Sequence, residues 1–210
     1  MIARYLGITI SHEQALADAF VMVGLRHAVE PEMRNAARLH SGWCHRHLGA
    51  LQPMVERYGV VRSVDGERLR RALFRGRRLG GFGLTRDIHD LLTMAGAVQA
   101  CWTVLRQAAR ARRDGSLEAV CRSCEGETAH QISWLETKLR QASPQALTVP
   151  PDTFHELGAS VPSRAEIAAV FDLVPGPVAR RLMPLAPVTG ALVALAVMLG
   201  FASTHARRRR

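Results

Sequence analysis

The chain has 210 residues, enough for one well-buried domain with appendages and too few for two ordinary domains. Hydrophobic residues make up 48% and charged residues 22%, a balance that excludes a disordered chain. The net charge of +10 suits acidic partners, phosphate groups or anionic lipid without choosing among them, and Lys138 is the single lysine among the 28 basic residues. Cys44, Cys101, Cys121 and Cys124 fall in helical-looking stretches and are expected to be reduced thiols.

The amino terminus reaches His12, Glu13 and Asp18 without the apolar run of a secretory signal, so the main domain is expected to remain cytoplasmic. Ser11 and Gln14 have capping-box spacing and predict that the first helix begins there, with Leu16, Phe20, Val23 and His27 along its apolar stripe. Pro31 fits the first turn of a second helix, which runs to Tyr58 with Met33, Ala37, His40, Cys44, His47, Leu51 and Met54 on one face, and Gly59 stops it. Residues 59–84 read as a long connection with a short basic helix at about 67–75 and a flexible run at Gly80-Gly81-Phe82-Gly83. Thr85 is expected to cap a third long helix ending near Arg113, and Asp114-Gly115 a tight turn. A fourth long helix is predicted from about Ser116 to Ala142, ended by Pro144.

This predicts an all-α fold over residues 1–145, made of two helical hairpins joined by a long crossover. Beyond it come a proline-rich linker with a short helix opened by Ser163 and Glu166 (146–181), an apolar segment (182–202) and a basic tail (203–210). Residues 182–202 carry no charge, are flanked by Arg180, Arg181 and Arg207 to Arg210, and are long enough to span a bilayer. Pro184, Pro187 and abundant alanine weaken that reading and leave docking on a protein partner open. The arginine balance would put the tail inside, whereas the missing signal keeps the bundle inside; the second is weighted more. The segment 182–210 is thus expected to meet membrane lipid, with anionic headgroups near the tail.

Candidate chemistry lies on the inner faces. His40, Cys44 and His47 are spaced by four and three on the second helix, and Glu127 and His130 by three on the fourth, with Cys124 and Gln131 beside them and Gln99 on the third. Over residues 11–142 the arrangement resembles the ferritin-like four-helix bundle superfamily. That resemblance implies paired iron ions held by a glutamate from one helix and a Glu-x-x-His pair from the next in each hairpin. Glu127-Thr128-Ala129-His130 matches one pair. The second helix departs from the pattern, with Ala37 three before His40 and Cys44 three before His47; Gln99 stands where a central glutamate is wanted, and the first helix offers Glu30 only at its end. What remains is a single zinc or iron held by His40, His47 and Glu127 with Cys44 or His130, or else a hydrogen-bonded polar layer that fixes helix register.

Cys121-Arg122-Ser123-Cys124 is a Cys-x-x-Cys pair suited to redox exchange, or two small core residues on successive turns. With Glu118 ahead of it, the pair resembles the helical peroxidase-linked disulfide reductases related to carboxymuconolactone decarboxylases, although Thr128 stands where their histidine would be. There is no phosphate loop, no dinucleotide fingerprint and no serine elbow. Arg68, Arg70, Arg71, Arg75, Arg77 and Arg78 lack interleaved aromatics and read as a solvated face, so nucleic acid is not expected as a partner. The resulting expectation is a membrane-tethered, ferritin-like bundle acting as a non-catalytic interaction module with a protein partner or a second copy of itself. The alternative is a metal-binding or redox protein.

Overall fold

The computed structural model describes residues 1–148 apart from 77 and 79. The expected linker, short fifth helix, apolar segment and basic tail lie outside the described residues. Five helices and no strand form among those described: α1 (Ile2–Arg26), α2 (Pro31–Tyr58), α3 (Asp65–Leu73), α4 (Gly80–Ala111) and α5 (Gly115–Thr148).

The four long helices pack as antiparallel neighbours around one core of Leu6, Leu16, Phe20, Leu51, Leu91, Trp102, Leu105, Leu117 and Leu135, all fully buried. The turn at residues 27–30 folds α2 back along α1, and Gly24 permits their close approach: a Cβ there would stand 2.8 Å from that of Ala37. Arg26 meets Asp87 while Glu13 meets Trp102, so α4 runs antiparallel to α1. Glu32 meets Lys138, Arg46 meets Glu127 and Arg57 meets Ser116, which sets α5 antiparallel to α2. Since α2 ends and α4 begins at opposite ends, the intervening chain climbs the bundle along α1. The amide of Val61 donates to the Ala3 carbonyl at 3.0 Å and that of Gly66 to the Ser11 hydroxyl at 3.1 Å.

Three helix ends differ from expectation. α1 begins at Ile2, because Leu6 and Thr9 continue the buried stripe and Ser11 uses its hydroxyl to receive α3 rather than to cap α1. α4 begins at Gly80, so the glycine run is helical; Thr85 lies inside the helix, with its hydroxyl donating to the Gly81 carbonyl at 2.9 Å. α5 passes through Pro144 to Thr148. A proline forfeits one helical hydrogen bond, but Arg140, which loses its acceptor role, is exposed, and water can take it.

Both ends are fastened by buried carboxylates. Asp87, fully buried, accepts from Arg26 at 3.2 Å, from His27 Nε2 at 2.9 Å and from Arg78 at 2.8 Å, while Arg78 also reaches Asp90 at 2.5 Å and the Leu73 carbonyl. Arg78 is therefore not part of a solvated basic face. At the other end Asp114 caps α5, accepting from the Leu117 amide and the Ser116 hydroxyl as well as from Tyr58 at the end of α2. The Tyr58 hydroxyl, the Ser116 hydroxyl and the Leu117 amide together hold its carboxyl well below the usual carboxylate range.

The glycines separate two kinds of position. A Cβ at Gly66 would collide with the Ser11 backbone and lie 2.7 Å from the Cα of His12, whereas Gly96 and Gly126 are exposed with nothing in reach. Urea denaturation is expected to show Gly66→Ala destabilised by about 1–3 kcal/mol through overpacking. Gly96→Ala and Gly126→Ala should each gain about 0.5–1 kcal/mol from helix propensity.

Candidate functional site

The polar centre is built on a residue that the helical pattern of α1 places inward. Leu6, Thr9, Glu13, Leu16, Phe20 and Val23 alternate by three and four, and every one of them is buried without measurable exposure. Glu13 occupies one apolar-stripe position at mid-helix, which corrects the expectation that the first helix offers only Glu30. The stripe itself carried the signal: extended back from Leu16 by three residues, it reaches Glu13.

Around Glu13 the other three long helices each contribute a group. Nδ1 of His47 on α2 lies 2.8 Å from Glu13 Oε1, and the indole of Trp102 on α4 donates to the same oxygen at 2.7 Å. The other ring nitrogen of His47 lies 3.2 Å from Glu127 Oε2 on α5, and Arg46 donates to that oxygen at 2.9 Å. Both His47 nitrogens therefore face carboxyl oxygens, one on each side of the ring. His47 thus bridges Glu13 in the core and Glu127, whose side chain is 34% exposed. Glu13 Oε2 is buried with no hydrogen-bond partner among the described residues. The seam between α2 and α5 opens beside this centre into a groove of about 410 Å³ lined by Arg46, His47, Ala50, Val120, Ser123 and Glu127.

Of the five expected metal ligands, the structure brings His47 and Glu127 into contact, leaves Cys44 beside Glu13, and separates His40 and His130. His40 lies one and a half to two turns away in an aromatic enclosure, with ring centroids of Phe20, Trp43 and Trp134 at 5.2, 5.0 and 5.1 Å. Neither of its ring nitrogens has a hydrogen-bond partner, and burial lowers its pKa to about 4. Cys44 points to Gln131, whose Nε2 stands 3.6 Å from the sulfur while also donating to the His40 carbonyl at 3.1 Å. His130 is exposed on the outer side of α5, so Glu127-x-x-His130 does not act as a unit. Among the described residues no group of three or more His, Cys, Asp or Glu side chains is arranged to hold a metal ion.

Cys121 and Cys124 are free and buried, and burial pushes both thiols up to about 12. Cys101 is pushed up to about 11 by the same cause, and Cys44 well above its ordinary value by burial and by the neighbouring Glu13. Burial thus disfavours the thiolate, the reactive form of cysteine, at Cys121 and Cys124. Thr128 spends its hydroxyl on the Cys124 carbonyl at 2.8 Å.

Two measurements follow from this geometry. The folded chain keeps His40 neutral down to about pH 4, whereas the unfolded chain takes up that proton near 6.5. Between these values the unfolded state binds the extra proton, so stability is full above about pH 6.5 and declines toward pH 4 by up to about 1.4 kcal/mol per unit. His40→Leu should flatten that part of the stability profile and raise stability at pH 5, read from urea midpoints. Trp102→Phe removes one donor from buried Glu13 and should cost about 1–3 kcal/mol. In a Glu13→Gln background the same change should cost measurably less, with a coupling above about 0.5 kcal/mol.

No family model, curated protein or solved structure matches the chain.

Proposed function

We propose that this chain is a membrane-tethered helical bundle of ferritin-like arrangement that acts as a non-catalytic interaction module. In this reading residues 182–202 hold it to the bilayer and the bundle faces the cytoplasm. The observation that carries the non-catalytic part is the way the buried polar groups are used. Glu13, His47, Glu127 and Trp102 bond to one another across the four long helices, and the cysteines are held as buried thiols. Groups committed in this manner fix which helix faces meet, a use for which buried polar groups are well suited. The ferritin-like arrangement is supported by the antiparallel pairing and by the length-spanning passage from α2 to α4. Relative to that family's ligands, Cys44 stands three before His47 where a glutamate would be, and Gln99 replaces a central carboxylate.

The tether rests on the sequence of residues 182–202; among the described residues no helix is long and apolar enough to cross a membrane. Removing residues 182–210 is expected to move the protein from the membrane to the supernatant of carbonate-washed cells while its helical circular dichroism and cooperative melting persist. A full-length chain already in the supernatant would end the tether reading. Elemental analysis of untagged native protein tests the other half: stoichiometric zinc or iron would replace the interaction module by a metal-binding protein.

A further inference from the structure

The described arginines between residues 68 and 78 do not act as one patch. Arg70 and Arg71 are neutralised by Glu67 at 2.8 and 2.6 Å, and Arg78 is buried on Asp87 and Asp90. Arg68 turns the other way, toward the beginning of α1, where it lines a groove of about 510 Å³ together with Arg4, Arg62 and one acid, Asp65, so that three cations face a single carboxylate. Arg4 and Arg62 make no ion pair and no side-chain hydrogen bond among the described residues. The one contact of Arg68 is to Asp65 at 3.7 Å, with both side chains more than half exposed, which leaves that charge largely solvated.

The floor between these cations is apolar. Ile8, Val61 and Val64 line it, and Val60, Val61 and Val64 are 42%, 53% and 54% exposed. These valines are held outward by the backbone: the Val61 carbonyl packs on Gly7, and the amide of Val61 is fixed by Ala3. Three cations around three outward valines match the surface of a bilayer, with phosphate and carboxylate headgroups at the rim and glycerol or acyl carbon beneath them. A single-stranded nucleic acid would supply the phosphates but asks for aromatic faces on which bases stack, and no aromatic side chain lines this groove.

We propose that the end of the bundle formed by the first turns of α1 and residues 60–68 docks on anionic phospholipid. The inference deepens the tethered reading by naming the face and the lipid class, and depends on that reading only for a nearby bilayer. The tether permits this orientation although α5 ends at the opposite end of the bundle. The residues 149–181 between α5 and the apolar segment can span up to roughly 110 Å, against a length of roughly 51 Å for the 34 residues of α5.

The test uses the full chain with vesicles of phosphatidylcholine alone and of phosphatidylcholine mixed with phosphatidylserine, reading flotation and the deuterium exchange of residues 60–66. The amides of residues 62–64 have no hydrogen-bond acceptor among the described residues, so they report contact directly. Exchange is expected to slow on the mixed vesicles and not on neutral ones. Replacing Arg4, Arg62 and Arg68 by glutamine should weaken docking on the order of a hundredfold, at about one kcal/mol for each charge. All three arginines are exposed, and an unchanged melting temperature checks that the variant is folded. Equal exchange on both vesicle types would overturn the proposal, as would stronger protection by polyuridylate than by mixed vesicles at equal phosphate. Flotation on neutral vesicles without protection would keep the tether and end this inference. Arginine-dependent flotation on mixed vesicles alone would do the reverse.

Discussion

A carboxyl group with no exposed surface sits in the middle of α1, and the bundle is arranged so that it is not alone. An unpaired buried carboxylate costs several kcal/mol, a large share of the roughly 5–15 kcal/mol by which a typical domain is stable. Glu13 therefore requires α2 and α4 to bring His47 and Trp102 to one of its oxygens, and His47 in turn requires Glu127 of α5 on its other face. Any slip of one helix by a turn would break this chain of bonds while leaving much of the aliphatic packing tolerable. Apolar contact drives the helices together, and the polar centre decides their register.

The two ends repeat the device with different chemistry. Asp87 gathers Arg26, His27 and Arg78, tying the corner between α1 and α2 to the chain that enters α4. Asp114 gathers Tyr58, Ser116 and the Leu117 amide, tying the end of α2 to the corner between α4 and α5. Among neighbouring long helices the contact is least extensive along the α2–α5 seam, where the groove beside His47 opens. Glu127 bridges that seam with Arg46 and is the point at which the polar centre touches water.

His40 departs from this economy. Its nitrogens are buried among Phe20, Trp43 and Trp134 without partners, so it contributes aromatic packing at a cost in unsatisfied polarity, and it stays neutral through the physiological range. The cysteines fit the same scheme as compact, polarizable core residues.

Helix number, order and inward faces were legible in the sequence, because apolar residues at spacings of three and four can bury only one face of a helix. Pro31, Gly59 and Asp114-Gly115 marked breaks where the backbone changes, and the length of the connection after Tyr58 was plain. His47 and Glu127 were placed inward by the same periodicity and do meet. Partners across helices were not legible. Glu13 looked like one charge in a mixed amino terminus until tertiary packing supplied Trp102 and His47, and Ser11 looked like a cap until α3 took its hydroxyl. The described arginines of residues 68–78 have one composition and three fates, on Glu67, on Asp87 and in solvent, because the local chain sets which charges exist and only the assembled helices decide which acids lie within reach. Sequence determined what each helix must hide; the fold decided what it hides against.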